Sequence, residues 1–126
     1  MILNLSFRSI PILAVLYAAG SAPAAVQIQK TSFQGWPNSY RITNGEVELV
    51  VTSDVGPRVM RYAFVGGRNL FWEEAKTLGK TGSPTWELMG GHRIWHAPEA
   101  MPRTYSPDNG PAQIQIEGST LRATQP

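Results

Sequence analysis

NGEVELVVTSDVGPRVMRYAFVGGRNLFWEE, from Asn44 to Glu74, is the stretch whose reading decides the fold. In EVELVVT, Val47, Leu49 and Val51 alternate with Glu46, Glu48 and Thr52, the two-residue period of a half-buried strand. Gly56-Pro57 breaks that strand in a turn cluster. RVMRYAFV then resumes the alternation, with Met60, Tyr62 and Phe64 on one face and Arg61 on the other. Gly66-Gly67 has the form of a two-residue hairpin turn, so RNLFWE is expected to return as a strand. The whole stretch predicts a three-stranded antiparallel meander.

Outward from it, QIQKTSF and SYRIT read as short strands on either side of a turn at Gly35-Trp36-Pro37-Asn38. Ala75 to Gly90 carries Gly79, Gly82 and Pro84 and predicts a loop, with one helical turn near Trp86–Met89. AQIQIEGSTLRAT has the form of a second hairpin, Gln113–Glu117 returning through Gly118-Ser119. No heptads, repeats or low-complexity tracts interrupt this pattern. The fold class expected is all-β, an antiparallel sandwich. Because the sequence stops within or just after a strand, whose open edge would be an aggregation hazard, residues 26–126 are read as the N-terminal part of a larger β domain. A small complete sandwich is the alternative.

The first 25 of the 126 residues read as a signal peptide. Arg8 precedes the apolar run IPILAVLYAAG, and Ala22-Pro23-Ala24 fits a small-residue cleavage site, with Gly20 and Ala25 as other cut points. The run is well short of the roughly 20 apolar residues that span a bilayer, so an exported protein, periplasmic or secreted, is expected, with no membrane association after cleavage. There is no cysteine, which excludes a disulfide framework and a lipoprotein anchor. The net charge is +2, falling to +1 once Arg8 is removed, and the basic residues are scattered. That pattern argues against nucleic acid as a partner. Oligomeric state has no signature in the sequence.

GGHRIWHAPEAMPRTYSPDNGP, from Gly90 to Pro111, concentrates the residues that could carry chemistry. His92 and His96 stand at the i, i+4 spacing of a helical zinc motif. The flanking Gly90-Gly91 and Pro98 oppose a helix, and in a strand the two would be about 13 Å apart. No metal site and no cofactor are therefore expected. A histidine facing a carboxylate could do acid–base chemistry near neutral pH, with Glu73, Glu74, Glu99 and Asp108 the carboxylates nearby in sequence. No carboxylate pair for glycoside hydrolysis, nucleophile elbow or phosphate loop can be identified.

Four tryptophans suggest a ligand platform, since an indole can lie against the C–H face of a sugar while Arg, Asn and carboxylates bond its hydroxyls. Trp72, inside a predicted strand, is expected in the core; Trp95 fits either a core or a binding role. Pro98, Pro102, Pro107 and Pro111 predict a stiff extended loop holding Arg103, Tyr105 and Asp108.

The turn Gly35-Trp36, the stretch NGEVELVVTSDVGPRVMRYAFVGGRNLFWE, the loop GGHRIWHAPE and the downstream PDNGP together resemble an uncharacterised family of exported bacterial proteins in the galactose mutarotase-like superfamily. The likeness runs across most of Val26 to Pro111, and G-P-R-V-M and G-G-x-x-x-W-x-A-P-E are its most specific parts. It implies a large β-sandwich with a sugar-facing concave sheet, Arg58 at the strand entry, and His92 and Arg93 on the loop lining the cleft. Mutarotases of the superfamily use a histidine acid and a glutamate base. The position of that glutamate lies beyond the end of this sequence.

The function expected is binding of a sugar or glycan near Arg58, Arg93, Trp95, Glu99 and Arg103. One alternative is an aldose-epimerase-like enzyme with His92 or His96 as the acid; another is a structural or interaction domain of the cell envelope without a small ligand.

Overall fold

The computed structural model describes residues 24–126, and the predicted signal peptide lies almost wholly outside the described residues. The chain is all-β, with antiparallel sheets and no α-helix among the described residues. Strands β1 (Gln27–Phe33), β2 (Trp36–Thr43), β3 (Val47–Thr52), β4 (Arg58–Phe64) and β5 (His92–Arg93) form one sheet in the order β1-β2-β3-β4-β5. Strands β6 (Gln113–Glu117) and β7 (Thr120–Thr124) form a separate hairpin, as expected from the sequence.

Register assigns each residue to a face, because directly paired residues point the same way. Val47 faces Phe64 and Leu49 faces Tyr62, so the two apolar sets read from the sequence do share a side of the sheet. That side is not the deeply buried one. Phe64 is 70% exposed and Tyr62 39%. The opposite side carries Ser39, Thr43, Glu48, Val50, Thr52, Arg58 and Ala63, all buried, and the long connection between β4 and β6 folds back onto it at Arg58.

Two irregularities set this inversion. The β3–β4 register shifts between Val50 and Val51, so Met60 is an extra residue on β4. Met60 thereby leaves the face of Tyr62 and Phe64 and is fully buried on the other. A second shift in the β1–β2 pair brings Phe33 opposite Trp36. Trp36, Val55, Met60 and Met89 form the core cluster, with Phe33 and Leu78 packed against it. The turn into β2 is therefore at Gln34-Gly35, and Trp36 is a core residue whose indole N–H donates to the Lys80 carbonyl at 3.0 Å.

Beyond the core the buried face is polar and internally paired. Glu48 accepts from Arg41 Nε at 2.6 Å and from Arg61 Nε at 2.8 Å. Burial alone would raise the Glu48 carboxyl, but the bonds and charges of Arg41 and Arg61 outweigh it and hold the group below its ordinary value.

The expected strand RNLFWE does not form. Asn69 takes its place against β4: its Oδ1 accepts from Tyr62 N and Phe71 N at 3.1 Å each, and its Nδ2 donates to the Met60 carbonyl at 2.9 Å. One amide side chain satisfies groups that a ladder would have satisfied. The neighbour of β4 is instead β5, paired through Arg58 with Arg93 and Val59 with His92. The helical turn expected near Trp86–Met89 is absent; a 3-10 turn occurs instead at Arg103–Tyr105.

Candidate functional site

Gly90-Gly91 make the site possible. Their φ angles are +80° and +67°, in the left-handed region that glycine tolerates. A Cβ on Gly90 would collide with the Trp72 carbonyl oxygen, and one on Gly91 would lie 2.5 Å from the Val59 carbonyl oxygen. The chain squeezes between β4 and the Trp72–Glu73 segment, and Gly91 N donates to Trp72 O at 2.8 Å. His92-Arg93 can then pair with β4, which puts Arg93 directly across from Arg58.

Two like charges in that position repel, and Asp108 stands between them. Its Oδ2 accepts from Arg58 Nη2 at 2.7 Å, while its Oδ1 lies 3.4 Å from Arg93 Nη1. The backbone around Asp108 is pinned: Gly56 N donates to its carbonyl at 2.8 Å, and Asn109 Nδ2 donates to the carbonyls of Ser83 and Thr85. Arg58 Nη1 donates to Gly90 O at 2.8 Å. Burial pushes the Arg58 guanidinium below its ordinary value, Asp108 acts against that, and Arg93 adds to it. Arginine stays charged through such shifts, so the group of three carries a net positive charge.

Aromatic rings hold Arg93 in place. Its guanidinium carbon is 5.5 Å from the Trp86 ring centre and 5.3 Å from that of Trp95, within cation–π range of both. Tyr105 meets Trp86 and Trp95 edge-on, with ring centres 5.3 and 6.5 Å apart. Arg93 Nη2 donates to Thr104 O at 2.6 Å, and Thr104 Oγ1 accepts from Ala100 N at 2.8 Å, which ties the proline-rich loop to the site.

A cavity of about 240 Å³ opens here, walled by Arg58, Arg93, His92, Trp72, Trp86 and Trp95 among others. A second, of about 230 Å³, lies on the other side of Trp95 and is lined by His96, Glu99 and Thr104. Both fall somewhat below the roughly 300–1,000 Å³ usual for ligand pockets. Tyr105 donates its hydroxyl to Glu99 Oε1, and that bond raises the phenol above its ordinary value.

Of the residues expected from the sequence, Arg58, His92, Arg93 and Trp95 come together in the first cavity, while His96 and Glu99 share the second. Arg103 donates to the Pro98 carbonyl at 3.1 Å on the exposed side and lines neither cavity. His92 has its ring beside Phe71, 6.2 Å between centres, and no carboxylate shares its cavity. Trp72, expected in the core, is 56% exposed at the rim, because the strand that would have buried it does not form. Trp86 was not legible as a site residue, and Asp108 was expected only as a nearby carboxylate; it meets Arg58 from 50 positions away, on a backbone pinned by both Gly56 and Asn109. Among the described residues, no three His, Asp or Glu side chains converge to hold a metal ion.

Comparison of the chain with protein-family models, curated proteins and solved structures finds no match.

Proposed function

We propose that this chain is an exported carbohydrate-binding protein of the galactose mutarotase-like sandwich type, and that a sugar ring sits in the cavity between Trp72 and Trp95. The observation that carries the reading is the pairing of exposed indoles with underused polar groups. Trp72 and Trp95 are each 56% exposed at one opening. Arg58 Nε, Asp108 Oδ1 and Trp86 Nε1 are buried without a hydrogen-bond partner. A domain with a purely structural role would be expected to satisfy such groups internally. Stacking on an indole face and hydrogen bonds to arginine are the two contacts that a sugar's C–H face and hydroxyls require.

The epimerase reading has less support, because His92 has no carboxylate across its cavity and Glu99, near His96, is engaged by Tyr105. Export rests on the N-terminal leader, and N-terminal sequencing of the exported chain would show a start near Ala25 if it is correct.

Calorimetric titration with a panel of mono- and oligosaccharides tests the binding reading. Trp95→Ala is expected to weaken binding about tenfold or more, a loss of about 1.4 kcal/mol. Absence of sugar binding by the folded chain, or binding indifferent to Trp95→Ala, would overturn it.

A further inference from the structure

Charge accounting at the same cavity goes one step further and rests on the sugar-binding reading above. Arg58 and Arg93 bring two permanent positive charges, and Asp108 returns one negative charge. The cavity is lined by Arg58, Arg93 and His92 among others, with no carboxylate. Glu99, the acid closest along the loop, lines the neighbouring cavity and is occupied by the Tyr105 hydroxyl. One uncompensated positive charge therefore remains beside an opening walled by three indoles.

Hydrogen-bonding capacity points the same way. Each guanidinium has five N–H donors in a planar fork. Arg58 places two of them, on Gly90 O and Asp108 Oδ2, and Arg93 places one, on Thr104 O. Arg58 is only 4% exposed, yet its Nε–H has no acceptor. A buried unpaired donor on a charged group is costly, and an anionic acceptor removes that cost more effectively than a neutral hydroxyl. The low-dielectric walls of Trp72, Trp86 and Trp95 strengthen any such ion pair compared with one in water.

The size of the charge selects the anion. A monoanion neutralises the site, whereas a phosphate monoester, near −2 at neutral pH, leaves it negative. A carboxylate also matches the guanidinium fork in plane and spacing. We infer that the preferred ligand is an acidic sugar bearing one negative charge, a hexuronate, whose carboxylate faces Arg58 and Arg93 while its ring lies against Trp95.

The test is calorimetric titration of the full chain with glucuronate, galacturonate and mannuronate, each against its parent hexose, with glucose 6-sulfate, glucose 6-phosphate and acetate as further probes. At least one hexuronate is expected to bind about tenfold or more tightly than its parent hexose, and to weaken with added salt as an ion pair does. Weaker binding of glucose 6-phosphate than of that hexuronate is also expected. Arg93→Gln should erase the preference for the acid; the probe ratios on the unaltered chain stand as evidence even if that variant does not fold.

Equal binding of hexose and hexuronate would overturn the acidic-sugar inference and leave sugar binding intact. Preference for the 6-phosphate, or for the 6-sulfate over every hexuronate, would overturn the choice of a carboxylate. Acetate binding as tightly as any hexuronate, or no binding by any probe, would overturn both.

Discussion

Arg58 is the residue on which the site turns. It is buried, it faces a second arginine across a strand pair, and one carboxylate serves both. Removing the carboxylate leaves two buried guanidiniums facing each other, and breaking a buried ion pair from one side costs about 3–5 kcal/mol. Asp108→Ala is therefore expected to lower the free energy of unfolding by about that amount, read from urea denaturation. A loss below about 1 kcal/mol would mean that water reaches the pair and screens it. Glu48 offers a contrast, since it is a buried acid with two arginines to itself. Its carboxyl is held below the ordinary value. Stability from this group is thus fully present above the unfolded carboxyl value, about 4.3, and is lost as pH falls through the lower folded value. At neutral pH Glu48→Gln should cost about 2 kcal/mol. The gap between the two proteins should close on acidification; a gap unchanged to low pH would contradict the assignment.

At the scale of elements, the meander was legible because alternation in β3 and β4 is strong, but its third member was misplaced. RNLFWE has strand composition, yet Asn69 bonds to β4 through both ends of its amide and removes the reason for a ladder there. Nothing in the local pattern distinguishes that use of Asn69 from an ordinary turn residue. The place beside β4 goes to two residues from a proline-rich loop, delivered by Gly90-Gly91. The bulge at Met60 is equally silent in sequence, since VMRYAF alternates acceptably with or without it. Of the site residues chosen from the sequence, all but Arg58 lie in one loop; His92, Arg93 and Trp95 share a cavity with Arg58, and His96 and Glu99 share the next one with Trp95. The parts not chosen are Trp72 and Trp86, from earlier in the connection after β4, and Asp108, from the far end of the same loop.

The whole molecule has a sheet with two unequal sides. One side holds the ion pairs, and the long connection after β4 folds back onto it at Arg58 and the core cluster. The other carries Ile42, Val59, Tyr62 and Phe64, and the β6–β7 hairpin approaches only part of it, leaving a space of about 280 Å³ between Val51, Val59, Leu121 and Ala123. An exposed apolar patch on a sheet is a site of dye binding and self-association. Phe64→Ser is expected to reduce binding of an apolar fluorescent dye and concentration-dependent association, while changing stability by no more than about 0.5 kcal/mol. A large loss of stability would show that Phe64 is packed in solution.

By itself the sequence determined the all-β character, strands β3 and β4, the hairpin of Gln113–Glu117 with Thr120–Thr124, and the concentration of candidate residues around Gly90–Pro111. These follow from local periodicity and from the backbone preferences of glycine and proline, which neighbours in space alter little. Only the tertiary structure decided which side of the sheet is buried, that Trp36 is core and Trp72 is rim, and that Arg58, Arg93 and Asp108 form one charged group. Those outcomes depend on where a long connection folds back and on which distant groups satisfy its backbone, and such couplings leave no period in the chain.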